Sequence, residues 1–175
     1  MKLLKKQGVA WIITIVMVIA AIGIGYAKAP VNNPKPQAPQ PDRPGASASY
    51  VWDNAKVLSD RTERELNERN DSLWERYSAS IGVVTCDDVD DLGGYAMQCA
   101  EDMGLGGYDF VVALDIEDEN YWLVQGDDIR RDFTDQMCSD YAYDYMEDYF
   151  ARGDYDNAVL DLTEALEDWY GDYYG

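Results

Sequence analysis

Three acidic groups hold the side chains of this sequence best suited to chemistry: Asp53 beside Asn54, the run Asp87-Asp88-Val89-Asp90-Asp91, and Asp127-Asp128. Clustered carboxylates joined by backbone oxygens are what calcium requires, since it takes about six to eight hard oxygen ligands in flexible loops. Holding a metal, Asp53, Asp127 and Asp128 could instead polarise a phosphoryl oxygen, as a metal-dependent phosphatase would. Composition supplies a plainer account. Asp outnumbers Glu 24 to 10, so acidic pairs arise everywhere, and solubility or adaptation to salt would explain them as solvated surface. The Asp87–Asp91 run also lacks the glycine and closing glutamate of an EF-hand loop.

Other chemistries are thinner. The chain has no histidine, which removes His-based triads, His zinc sites and His acid–base catalysis. Cys86, Cys99 and Cys138 include no Cys-x-x-Cys pair. Cys99 and Cys138 sit on apolar helix stripes, as buried thiols do; spacing does not say whether two of the three pair. Arg130 and Arg131 are the domain's only adjacent cations, and such a pair is more often a helix-edge salt bridge than an anion clamp.

Charge divides the chain. Overall, 14 basic and 34 acidic residues give −20. Residues 1–45 hold six basic and one acidic group (+5), and residues 46–175 hold eight and thirty-three (−25). The acidic body has no basic surface to neutralise phosphates, so no nucleic acid is expected as a partner.

The elements ahead of the acidic body set its address. A basic head, residues 1–7, carries Lys2, Lys5 and Lys6. Residues 8–27 follow as twenty uncharged, Ile-, Val- and Ala-rich positions, enough helix to cross a bilayer core of roughly 30 Å. Trp11 and Tyr26 stand near the two interfaces. This predicts a single-pass transmembrane anchor in the lipid bilayer, N-terminus cytoplasmic and domain extracytoplasmic. A signal peptide cleaved around Ala27-Lys28-Ala29 is the rival, but the apolar run exceeds the usual h-region. Residues 28–48, with six prolines, read as a semi-rigid linker.

Residues 49–170 form the domain and 171–175 a tail. Ser59 or Asp60 starts an amphipathic helix over 60–77, with Glu63 placed to complete a capping box. Ala79 to Cys86 reads as a strand buried on both faces. Leu92, Tyr95, Ala96, Cys99, Ala100 and Met103 keep helical spacing up to Gly104. Phe110–Ile116 and Tyr121–Val124 form a hairpin. Thr134 or Asp135 starts a helix whose stripe is Met137, Cys138, Tyr141, Tyr145 and Tyr149, widened by Ala142, Met146 and Phe150. These tyrosines, with Trp169, Tyr170, Tyr173 and Tyr174, read first as core and second as a partner face. Asp154 caps the last helix, whose apolar side is Val159, Leu162, Leu166 and Trp169. The order argues an α/β domain with a mixed sheet of about four strands.

Val51-Trp52-Asp53-Asn54-Ala55 through Val57-Leu58-Ser59, then Ile81-Gly82-Val83-Val84-Thr85, Tyr95-Ala96, Gly104-Leu105-Gly106, Phe110–Leu114, Gly126, Thr134-Asp135 and Gly153-Asp154-Tyr155-Asp156 together resemble the TPM domain family. The resemblance covers roughly residues 50 to 168. It implies an α/β/α sandwich and an extracytoplasmic, membrane-associated protein. Some members are similar to calcium-binding modules, and weak acid phosphatase activity is attributed to plant members. It further implies that the three acidic groups converge, with Asp53 matching the family's opening aspartate. The second glycine of the family's Gly-x-Gly loop is absent, since Asp127-Asp128 follows Gly126. The expected function is thus a non-catalytic, calcium-responsive interaction module for an envelope or membrane protein. The expected ligands are Asp53, Asp87, Asp88, Asp127 and Asp128. Acid phosphatase activity and a structural partner without an ion site are the alternatives.

Overall fold

The computed structural model describes residues 49–175; the basic head at 1–7, the expected anchor at 8–27 and the linker at 28–48 lie outside them. Among the described residues no helix is long and apolar enough to cross a membrane. The elements are β1 (Val51–Asp53), α1 (Asp60–Tyr77), β2 (Ile81–Cys86), α2 (Leu92–Met103), β3 (Phe110–Asp115), β4 (Asn120–Gln125), α3 (Asp135–Ala142), a π-helical turn (Tyr143–Glu147), α4 (Asp148–Phe150) and α5 (Tyr155–Tyr174).

The sheet runs in the order β1-β2-β3-β4. Helical crossovers return β2 and β3 parallel to their predecessors, and the short 116–119 turn forces β4 antiparallel. Every residue of β2 and β3 is buried, as a strand covered on both faces requires. On one face α1, α3 and α5 pack on Ile81, Val83, Phe110, Val112, Leu114 and Leu123. On the other, α2 alone covers Val84, Val111 and Ala113. The two crossovers step the same way across the sheet yet lie on opposite faces. They therefore have opposite hands, and one departs from the right-handed norm.

Two local expectations change. Ser59 caps α1 by accepting from the Thr62 amide, and its hydroxyl meets that of Thr62 at 3.0 Å. Thr62, not Glu63, is the partner because it stands three residues after the cap. In the α3 region the buried stripe is Cys138, Ala142, Met146 and Phe150, while Tyr145 faces outward. A strict four-residue repeat drifts around an α-helix; the wider π turn takes up that drift and keeps all four residues on the core.

Candidate functional site

The carboxyl ends of the three parallel strands gather Asp53, Cys86-Asp87-Asp88 and Asp115. Asp53 is spent on its own loop. Its Oδ1 accepts from the Val57 amide at 3.1 Å and the Thr85 hydroxyl at 2.5 Å, and its Oδ2 from the Leu58 amide at 3.0 Å. Thr85 in turn accepts from the Ala55 amide. This folds the turn after β1, in which Lys56 takes a φ of 57°.

Asp115, which ends β3 and is 1 % exposed, does more. Oδ1 accepts from the amides of Asp88 (3.0 Å) and Asp118 (3.3 Å), and Oδ2 from that of Val89 (2.9 Å). One buried carboxylate thus pins the β2–α2 loop to the β3–β4 turn. Both carry acid outward: Asp87, Asp88, Asp90 and Asp91 on one, Glu117, Asp118 and Glu119 on the other, all exposed. Asp91 also caps α2 by accepting from the Gly94 amide.

Asp127 and Asp128 do not join them. Because β4 runs back, Gln125 pairs with Phe110 and Asn120 with Asp115, so residues after β4 lie beside the start of β3. The Gly126 amide donates to the Asp109 carbonyl and the Asp128 amide to that of Gly107. Along β3 the two ends stand about 17 Å apart. Asp53, Asp127 and Asp128 therefore cannot meet on one phosphoryl group, and the five expected ligands fall into two separated sets. Asp127 pairs with Arg130 at 3.8 Å, as the salt-bridge reading of that arginine expects.

At this opposite end a carboxylate that sequence reasoning missed is buried in part. Asp109 accepts from the Ser80 amide (2.7 Å) and the Gly106 amide (2.6 Å). Burial pushes its pKa up to about 6, and the two amides hold it back only in part. Asp115 was missed as well. Its signal was an aspartate inside an otherwise apolar run, at the position where the strand must end. Asp109 gave a similar signal by standing immediately before that run.

The cysteines are buried and unpaired. Burial, then the charges of Asp115 and Asp87, push the Cys86 thiol up to about 11. Burial, then Asp135, takes Cys138 to about 12. Neither is poised as a nucleophile at neutral pH. Among the described residues, no group of three or more Cys, Asp or Glu side chains is arranged to hold a metal ion.

Comparison with known proteins matches this architecture. The chain is similar in fold to the N-terminal domain of a protein from P. gingivalis: TM-score 0.65 and 20 % identity, covering 73 % of this chain and 85 % of that one. It is also similar to the N-terminal domain of the cg2496 protein from Corynebacterium glutamicum, with TM-score 0.59, 20 % identity and coverage of 86 % and 91 %. The BA42 protein from the psychrophilic bacterium Bizionia argentinensis matches with TM-score 0.54, 16 % identity and coverage of 66 % and 83 %. No curated protein matches the chain. The model of the TPM domain matches residues 51–169, a span that opens at β1 and closes within α5, and the chain belongs to the TPM domain family.

Proposed function

We propose that this TPM domain is a non-catalytic interaction module, displayed outside the cell membrane by the span at residues 8–27, whose acidic rim responds to calcium. One observation carries the reading: the three amides on Asp115 hold two acid-bearing loops side by side, with seven exposed carboxylates and no Lys or Arg between Asp87 and Asp91 or between Glu117 and Glu119. Such a rim repels itself. A hard divalent cation relieves that repulsion using the oxygens already present. Asp87 and Asp88 stay in the responsive set, Asp53 becomes scaffold, and Asp127 and Asp128 drop out. Catalysis is disfavoured because Asp53 is engaged by three donors and the aspartates proposed to act with it lie at the other end of the sheet.

The test is calorimetric titration of the full chain in detergent with calcium, magnesium as control, near physiological salt. Saturable calcium binding that disappears in an Asp87→Asn/Asp88→Asn double variant supports the proposal. A featureless, salt-screened response common to both ions would reduce the rim to surface charge.

A further inference from the structure

The three helices that share one face of the sheet leave a seam paved with tyrosine rings. The π turn that continues α3 packs on α5, and the row Tyr141, Tyr145 and Tyr149 runs beside that contact. Tyr141 and Tyr145 stand 5.3 Å apart, centroid to centroid. Tyr145 is 43 % exposed, and Tyr141 and Tyr149 are half-buried, each packed on the core by one side only.

Both banks of the seam are acidic. From α5, Asp172 and Asp168 lie close enough to Tyr141 to push its pKa up, after burial and Tyr145, and Asp161 raises Tyr149 by its charge and by a hydrogen bond. On the outward bank Asp140, Asp144 and Asp148 each precede one tyrosine of the row, and all three are exposed. One ring already carries a cation: the Arg152 guanidinium carbon lies 5.0 Å from the Tyr149 centroid. Arg152 is the only Lys or Arg from residue 132 to residue 175. Among the described residues no cation covers Tyr141 or Tyr145.

These features select an occupant. Acid on both banks calls for a cationic segment, and it turns away a second −25 body. A row of partly open aromatic rings suits proline in an extended polyproline II conformation, which needs no strand edge to pair with. The chain holds such a segment itself. Residues 34–44 carry Pro34, Pro36, Pro39, Pro41 and Pro44 with Lys35 and Arg43. The point of entry is also suitable: the Tyr50 amide donates to Asn67 of α1, and Arg69 and Arg76 of α1 pair with Glu167 of α5, so the chain joins the domain on the same helical face. From Lys35 to Ser49 the extended chain reaches about 43 Å at about 3.1 Å per residue. Crossing α1 and α5 takes about 20 Å at helix spacings of about 8–10 Å.

We infer that residues 34–44 fold back on the domain and lie in the seam between the α3 region and α5. Prolines rest on Tyr141 and Tyr145, and Lys35 and Arg43 take the acid of the banks. The stalk then lies along the domain instead of holding it off the bilayer. This contact needs no ion and stands apart from the calcium reading.

The test places a nitroxide on a Gln40→Cys variant of the isotope-labelled full chain, in detergent at about 150 mM salt. Cys86, Cys99 and Cys138 are buried, so the label goes to position 40. The amide signals of residues 141–149 and 161–172 are expected to broaden, and those of α2, on the opposite face of the sheet, to stay sharp. Adding Tyr145→Ala should lower the docked-to-free ratio about threefold; that side chain is exposed, and a melting curve verifies the fold. Lys35→Ser with Arg43→Ser, outside the domain and harmless to its fold, should lower the ratio as well. Even broadening over every face, or broadening unchanged in both variants, would overturn the inference. Broadening found only between a nitroxide-bearing chain and a separate isotope-labelled one would overturn it in favour of a second copy's linker. A seam that stays sharp yet shifts with an added lysine- and proline-rich peptide would overturn it in favour of a separate partner. Calcium titration of the same chain keeps the two proposals apart: a broadened seam without calcium shifts at residues 87–91 removes only the rim, and the converse removes only the docked linker.

Discussion

The two ends of β3 carry the same device with different consequences. Asp115 at its close accepts three amides and pins two loops that bristle with outward acid. Asp109, just before its start, accepts two amides and pins β2 to the α2–β3 loop. Around Asp109 the chain packs without side chains to spare. A Cβ on Gly107 would lie 2.1 Å from Asp128, and one on Gly126 2.4 Å from the Gly107 carbonyl. The buried Tyr170 hydroxyl donates to the Tyr108 carbonyl beside it. The comparison teaches that a buried or half-buried carboxylate here is a staple, and that the one at Asp115 sets two acid-bearing loops side by side.

The largest effect should come from breaking the better-connected staple. Asp115→Ala strands three amides and is expected to cost about 3–5 kcal/mol, read by urea denaturation. The second prediction sharpens the contrast through pH. Asp109 is raised in the folded state from 3.8 to about 6, so folding takes up a proton. Its contribution is full below pH 4 and is lost as pH rises through about 6, a swing of at most about 3 kcal/mol. The stability difference between the native chain and Asp109→Asn should therefore move against the native chain from pH 4 to 7; a pH-independent difference would remove Asp109 as the titrating group. Gly126→Ala, driven against two carbonyls, should cost about 2–3 kcal/mol in the same denaturation.

Asp53→Asn keeps one acceptor oxygen and loses amide or hydroxyl partners, for about 1–2 kcal/mol. Its lesson is that the calcium response should survive. Smallest of all, Asp127→Asn gives up only an exposed pairing with Arg130 and should change the unfolding free energy, read by the same denaturation, by less than about 0.5 kcal/mol.

Much of the fold is legible in the sequence. Period and punctuation placed α1, β2, α2 and the hairpin, because a 3.6-residue stripe ending at Gly104 and a continuous apolar run are local signals. The expected convergence failed for Asp127 and Asp128 alone, and for a directional reason. A hairpin reverses the chain, so the residues after β4 belong with the amino end of its neighbour. The tyrosine stripe holds at Tyr141 and Tyr149, which pack against the core, and fails at Tyr145, because the helix widens through Tyr143–Glu147. Asp115 and Asp109 were hidden by being single polar residues at the borders of a hydrophobic run, the least conspicuous place for the residues that fasten the loops.

The central claim is that the joined β2–α2 and β3–β4 loops, and no other aspartates, form the ion-responsive surface. Amide chemical shifts of the isotope-labelled chain, followed through a calcium titration, test it residue by residue. The account predicts saturable shifts concentrated at residues 87–91 and 117–119, with the Val57, Leu58, Asp127 and Asp128 amides unmoved. Shifts centred on Val57 and Leu58, or spread evenly over the acidic surface, would contradict it.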